Sequence, residues 1–229
     1  WSFDAADDVG STDFLQKRLE HAVRAREALL KRTTARRLVF AEADGIPGLV
    51  VDQYGPWLVT QFQSAAVEVR RDDIASILMR ITGAQGVFDR SDAATRQREG
   101  LAPRVGVLIG QEPPECIDVV EDGVRYGVDV RKGHKTGFYI DQRESRLAAQ
   151  RLAREFREKT GRGLRALNCF CYTGGFSLAL MAGGAACVDS VDSSADALAQ
   201  AKANARLNHL PEETLNWIEA DVFDYLRAA

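Results

Sequence analysis

The chain has 229 residues, 45% of them apolar, and 30 Lys and Arg against 33 Asp and Glu give a net charge of −3. That length and apolar share suit one large or two small globular domains, and the mildly acidic balance excludes a protein dominated by phosphate contacts while leaving room for a local basic face. No run of about 18 apolar residues predicts a membrane helix, and four cysteines (Cys116, Cys169, Cys171 and Cys187) without a C-x-x-C pair, beside three histidines, predict reduced thiols in a cytoplasmic protein, with neither a metal site nor a disulfide framework.

Residues 11–37 read as one helix, capped by Ser11 or Thr12, with Phe14, Leu15, Leu19, Val23, Leu29 and Leu30 as its apolar stripe. Lys17, Arg18, Arg24, Arg26, Lys31, Arg32, Arg36 and Arg37 occupy its other faces, either as a solvated surface or as one that meets phosphate. From Arg37 the pattern becomes short β-rich runs punctuated by Asp44-Gly45, Pro47-Gly48 and Tyr54-Gly55-Pro56. An amphipathic helix over 68–81, a strand over 86–92, a short helix or loop in "AATRQREG" and a hairpin over 116–130 turning at Asp122-Gly123 complete a small α+β domain, 37–125.

"GHKTGFYIDQRESRLAAQRLAREF" (133–156) leads into a long helix, with Asp141 as N-cap and Glu144 as its capping-box partner. Strands over 161–170, 185–192 and 214–221 then alternate with helices over 174–184, 194–210 and 222–229. The order β-α-β-α-β-α predicts an α/β fold with a parallel sheet and helices on its faces.

Such sheets bind ligands outside the carboxyl ends of their strands. Tyr172-Thr173-Gly174-Gly175 follows the first strand, where glycine permits close backbone approach and the next helix offers free N–H groups. Asp192 ends the second strand, 18 residues after Gly174, placed to accept both hydroxyls of a ribose. Asp221 ends the third, placed to accept from an adenine amine, with Val222 and Phe223 flanking the ring. The dinucleotide pattern G-x-G-x-x-G is absent, and Tyr172 and Phe176 fill space that a pyrophosphate would need. S-adenosylmethionine, which has no phosphate, fits the pattern better than NAD. Cys169 and Cys187 read as core, and Cys171 as packing in preference to a nucleophile.

"EADGIPGLVVDQYG", "VFDRSD", "GHKTGFYIDQR", "LNCFCYTGGFSLAL" and "VDSSADALAQAKAN", in this order, resemble the ribosomal RNA large subunit methyltransferase I family. The resemblance runs from Trp1 to the end of the chain. It implies S-adenosylmethionine-dependent formation of 5-methylcytosine in 23S rRNA. It also implies three parts: a PUA domain, which "WSFD" would follow, a central α+β domain, and a Rossmann-like class I methyltransferase domain. On that basis 1–36 is a linker and helix, 37–125 the central domain, and 126–229 the N-terminal part of the methyltransferase domain, holding the first three of seven strands.

The resemblance maps the donor site onto Asn168 to Phe176 (with Phe170, Tyr172, Thr173, Gly174 and Gly175), Asp192 with Ser193, Asp221 with Val222 and Phe223, and Tyr139, Gln142 and Arg143 of a segment over the pocket. That segment reads either as a plain connection or as a lid, in which Lys135, Phe138 and Arg143 meet substrate and Phe138 or Tyr139 stacks on a base; Arg143 could instead pair with Asp141 or Glu144. Cytosine C5 is a poor nucleophile until a thiolate adds at C6. The family's Asp-Pro-Pro and later cysteine motifs do not occur in this sequence, and the resemblance puts the cysteine nucleophile beyond Ala229. The chain therefore reads as a fragment that binds donor and does not complete the reaction alone. The family further implies an rRNA partner, and a homodimer is an open expectation. Alternatives are methylation of another base or atom (guanine N7, uracil C5) and a non-catalytic RNA-binding module.

Overall fold

In the computed structural model, residues 2, 4–92 and 94–228 are described. Trp1 and Phe3 of "WSFD" and Ala93 of "AATRQREG" therefore lie outside the described residues. So does Ala229, the last residue of the helix expected over 222–229 and the point beyond which the nucleophile is expected; the helix is described only as far as Ala228. The structure divides into two compact units, one from 1–119 and 128–140, the other from 120–127 and 141–229. This differs from the three-part expectation because the N-terminal helix belongs to the first unit's core and the chain crosses between units three times.

The first unit is built on a five-stranded sheet, preceded by α1 (Thr12–Arg24). Ser11 caps α1, its hydroxyl accepting the Phe14 N–H at 3.1 Å. The expected helix over 11–37 stops at Arg24: a 3-10 turn covers Glu27–Lys31, and β1 (Ala35–Phe40) follows. Leu30 is exposed, so the apolar stripe ends where the helix does. The reversal is pinned by the Arg26–Asp44 ion pair (2.5 Å) and by Arg36, which donates to the Arg26 carbonyl (2.9 Å).

Then come β2 (Leu49–Tyr54), β3 (Trp57–Phe62), α2 (Ala65–Glu68), α3 (Arg71–Thr82), β4 (Gly86–Ser91), α4 (Thr95–Arg98) and β5 (Arg104–Gly110). The strands lie in sequence order, all antiparallel except β3 with β4, which α3 connects. Leu15, Leu19 and Val23 of α1 and Ile74, Ile77 and Leu78 of α3 form one core with Leu38, Leu49, Val51, Leu58, Phe62 and Val87 of the sheet. Each fully buried aliphatic side chain there contributes about 1.5–3 kcal/mol.

The strand residues between these are buried too, because segment 128–140 folds over the opposite face. Arg90 donates to the carbonyls of Val130 (2.5 Å) and Gly133 (3.3 Å). Thr136 donates to Asp52 Oδ2 (2.6 Å) and shares a 2.8 Å hydrogen bond with the Tyr54 hydroxyl, while Arg37 grips Asp52 with two bonds (2.8 and 2.9 Å). Three of the sequence motifs, "LVVDQYG", "VFDRSD" and "GHKTGFYI", are thus one buried polar joint.

A hairpin of β6 (Ile117–Glu121) and β7 (Val124–Val128) turns at Asp122 and Gly123, with φ of 47° and 87°. Two successive positive φ values are what a right-twisted two-residue hairpin requires. Its tip belongs to the second unit. That unit continues with α5 (Arg143–Thr160), β8 (Arg165–Cys169), α6 (Gly175–Ala182), β9 (Cys187–Asp192), α7 (Ala195–Leu207), β10 (Leu215–Glu219) and α8 (Val222–Ala228). The sheet order is β10-β9-β8, all parallel, in the Rossmann-like α/β arrangement expected. The capping box at Asp141 and Glu144 does not form. A 3-10 turn over Ile140–Gln142 precedes α5, Gln142 takes the cap position, and no side chain caps the helix.

Candidate functional site

At the carboxyl end of β8 the backbone makes two unusual turns. Phe170, Tyr172 and Gly174 have φ of 57°, 48° and 80°. Left-handed conformations at non-glycine residues cost on the order of 1 kcal/mol or more and persist where surrounding bonds fix them. Here Cys171 N–H donates to the Val191 carbonyl (3.0 Å), Gly174 N–H to the Cys171 carbonyl (2.9 Å), and Tyr172 N–H to Asp192 Oδ2 (2.8 Å). Asp192 Oδ1 accepts the Ser194 N–H (2.9 Å). An ionised carboxylate has about four acceptor positions, so two remain for a ligand.

Glu219 lies beside Asp192 in register, and Ala220 N–H donates to the Asp192 carbonyl (3.1 Å), which brings the end of β10 to the same edge. Asp221 Oδ1 accepts from Phe223 and Asp224 N–H (2.8 and 3.0 Å), capping α8. The Phe170 and Phe223 rings meet edge to face, centroids 5.7 Å apart, and stay 61% and 60% exposed. They form an apolar rim beside two carboxylates. The Val222 side chain is buried, so it cannot flank a ring as expected; Phe223 can.

Both glycines of the turn answer to protein contacts. A Cβ on Gly174 would lie 2.8 Å from the Trp217 ring. On Gly175 it would lie 3.2 Å from Arg146 Cδ. Thr173 is half-buried, with its carbonyl accepting from Asn204 Nδ2 (3.0 Å). Phe176 is half-buried in the first turn of α6, and Ser193 is exposed beside Asp192. No side chain caps α6, so its first N–H groups remain available to a carboxylate. Cys171 is buried with its thiol pushed up to about 12, first by burial and then by the Asp192 charge; it stays protonated and acts as packing.

The segment expected as a lid divides. Lys135, Phe138 and Tyr139 belong to the first unit, while Gln142 and Arg143, both half-buried, start the second. Phe138 is 4% exposed and so does not offer its ring to a base, and Thr136 anchors the loop to the sheet. Lys135 Nζ sits over the Tyr139 ring at 4.5 Å, with His134 Nδ1 at 3.2 Å from the Tyr139 hydroxyl. Arg143 pairs with Glu144 (3.2 Å), one of the two partners anticipated.

Sequence reasoning missed the layer behind the turn. Gln200 and Asn204 stand one helical turn apart on α7, and Asn208, its C-cap, follows one turn later. Asn204 Oδ1 accepts the Gly127 N–H (2.8 Å), and Asn208 both accepts from and donates to the Arg125 backbone (2.9 and 2.7 Å). Arg146 on α5 forms a buried two-bond pair with Glu121 at the end of β6 (2.7 and 3.0 Å). Amides at i, i+4 and i+8 in an alanine-rich helix were the available signal.

A family model described as "S-adenosylmethionine-dependent methyltransferase" matches residues 82–226. The chain belongs to that family. It is 44% identical over 229 residues to ribosomal RNA large subunit methyltransferase I of Photobacterium profundum, covering 99% of this chain and 55% of that protein. Among solved structures, a chain described as a SAM-dependent methyltransferase from Streptococcus mutans superposes with a TM-score of 0.83 at 27% identity, covering 100% of this chain and 57% of that one. A methyltransferase crystallised with SAH gives 0.80 at 28% identity, covering 95% and 54%. The chain spans about half the length of the curated relatives it matches. Membership in a methyl-donor family agrees with a turn and two acidic strand ends gathered at one edge of a parallel sheet.

Proposed function

We propose that this chain carries the donor-binding part of an S-adenosylmethionine-dependent methyltransferase acting on large-subunit (23S) ribosomal RNA in the cytoplasm, with cytosine C5 as the acceptor. The observation that carries the donor reading is the 2.8 Å bond from Tyr172 N–H to Asp192, which ties the glycine turn to the acidic end of β9. On this reading the free acceptor positions of Asp192 take the ribose hydroxyls. Asp221 and the Phe223 ring serve the adenine, and the uncapped N-terminus of α6 faces the methionine carboxylate. The bound donor supplies an electrophilic methyl group. The Phe170 ring, edge to face with Phe223, adds an exposed apolar rim beside that site.

The rRNA substrate is supported by the 44% identity to a protein named for it. Cytosine C5 is supported by the family resemblance of the five motifs and requires a thiolate nucleophile, a part that Cys171 cannot play. Among the first unit's exposed groups, Lys132, His134 and Lys135 suit RNA phosphate. Mass spectrometry of rRNA nucleosides from cells with and without the full-length gene tests the assignment. One 5-methylcytidine of the large-subunit RNA is expected to vanish on deletion and return on complementation. Loss of a different methylated nucleoside would move the acceptor to another base, and an unchanged rRNA profile would end the rRNA reading.

A further inference from the structure

We propose that Glu121 and Arg146 are positioning residues for the methyl-donor turn, acting through the tip of the β6–β7 hairpin as a buttress. The proposal rests on the donor reading of Gly174 and Asp192 given above, and neither residue is assigned a contact with the ligand.

The pair is 2% and 4% exposed and joined by two parallel hydrogen bonds of 2.7 and 3.0 Å. Burial pushes the Glu121 carboxyl up, and the bonds from Arg146 oppose it. A buried ion pair of this kind is a weak source of stability, because desolvation offsets most of the attraction. What it does supply is fixed geometry, since the guanidinium fork matches one carboxylate orientation.

That geometry is passed to the turn by contact. The Arg146 stem lies against the Gly175 backbone so closely that even a methyl group there would press on its Cδ, at 3.2 Å. The guanidinium carbon stands 5.9 Å from the centre of the Tyr126 ring, and the Tyr126 hydroxyl donates to the Gly175 carbonyl at 3.4 Å. From the other side Asn204 accepts the Gly127 N–H and donates to the Thr173 carbonyl. Hairpin residues 121, 126 and 127 therefore hold residues 173 and 175, on both sides of Gly174. The turn contains left-handed non-glycine residues that need such outside support.

The test combines calorimetric titration of SAH with amide hydrogen exchange of the unliganded protein. Arg146→Lys keeps the charge and loses the fork. We expect it to fold, to bind SAH about tenfold more weakly, equivalent to about 1.4 kcal/mol, and to exchange the hydrogen-bonded amides of Tyr172 and Gly174 about tenfold faster, with β9 and β10 core amides unchanged. The double variant Glu121→Leu/Arg146→Met replaces the pair with apolar bulk and is expected to retain stability. Positioning predicts that its turn amides stay fast and its affinity stays weak. Wild-type affinity and exchange in both variants would overturn the proposal, as would full recovery of both readouts in the double variant, which would mark the pair as merely structural. If Arg146→Lys does not fold, the double variant decides. Absence of SAH binding by the wild-type protein would defeat the donor reading instead, and the exchange comparison would still decide the buttress.

Discussion

Asp89, on β4 of the first unit, is buried among polar groups that only partly satisfy it. Its Oδ1 accepts from the Ser91 hydroxyl and N–H, whereas Oδ2 has no hydrogen-bond partner. Burial, the largest influence, raises its folded-state pKa above 3.8. A raised carboxyl contributes stability that is fully present below the unfolded value and is lost as pH rises through the folded value. Asp89→Asn removes that titration. The unfolding free energy of the variant minus that of wild type should therefore become more positive between about pH 4 and pH 7 in chemical denaturation; a difference that is flat or falls with pH would contradict this. Single residues were legible where backbone spacing determined their position. Asp192 and Gly174 were found because strand ends in a parallel sheet share one edge. Phe138 and Val222 were misplaced because which neighbour of a turn points inward depends on packing partners far away in sequence.

Among the elements, α7 does more than cover the sheet. Its amide ladder hydrogen-bonds the open edge of β7, a task that backbone of a third strand would otherwise perform. Asn204→Ala should strand the buried Gly127 N–H and the half-buried Thr173 carbonyl and cost about 2–6 kcal/mol by urea denaturation, at 1–3 kcal/mol for each orphaned group. A loss below about 0.5 kcal/mol would show that other partners take over those groups. The ladder was missed because Asn and Gln on a helix read as surface. The N-terminal helix was overextended for a related reason: Leu29 and Leu30 continue the apolar period, yet Leu29 is only half-buried and Leu30 is exposed. β5 was not anticipated because Val105, Val107 and Ile109 alternate on a strand that stays largely exposed.

On the scale of the whole molecule, the α/β class, the order of the second unit and the gathering of the Tyr172–Gly175 turn, Asp192 and the end of β10 at one sheet edge were legible, because parallel strands and glycine turns have short-range sequence patterns. The division into units was less so. Residues 120–127 and 128–140 part company at Gly127, and the polar joint of Asp52, Arg90 and Thr136 draws together residues more than 80 positions apart. No helix among the described residues is long and apolar enough to cross a membrane.

Calorimetric titration of SAH into wild type and Asp192→Ala tests most directly whether Asp192 and the Tyr172–Gly175 turn form one nucleoside-binding edge. We predict saturable one-to-one binding by wild type and affinity reduced about 10- to 100-fold in the variant, since hydrogen bonds to a charged acceptor contribute about 1.5–3 kcal/mol. Equal affinity in the two proteins, or no binding to the folded wild type, would contradict it.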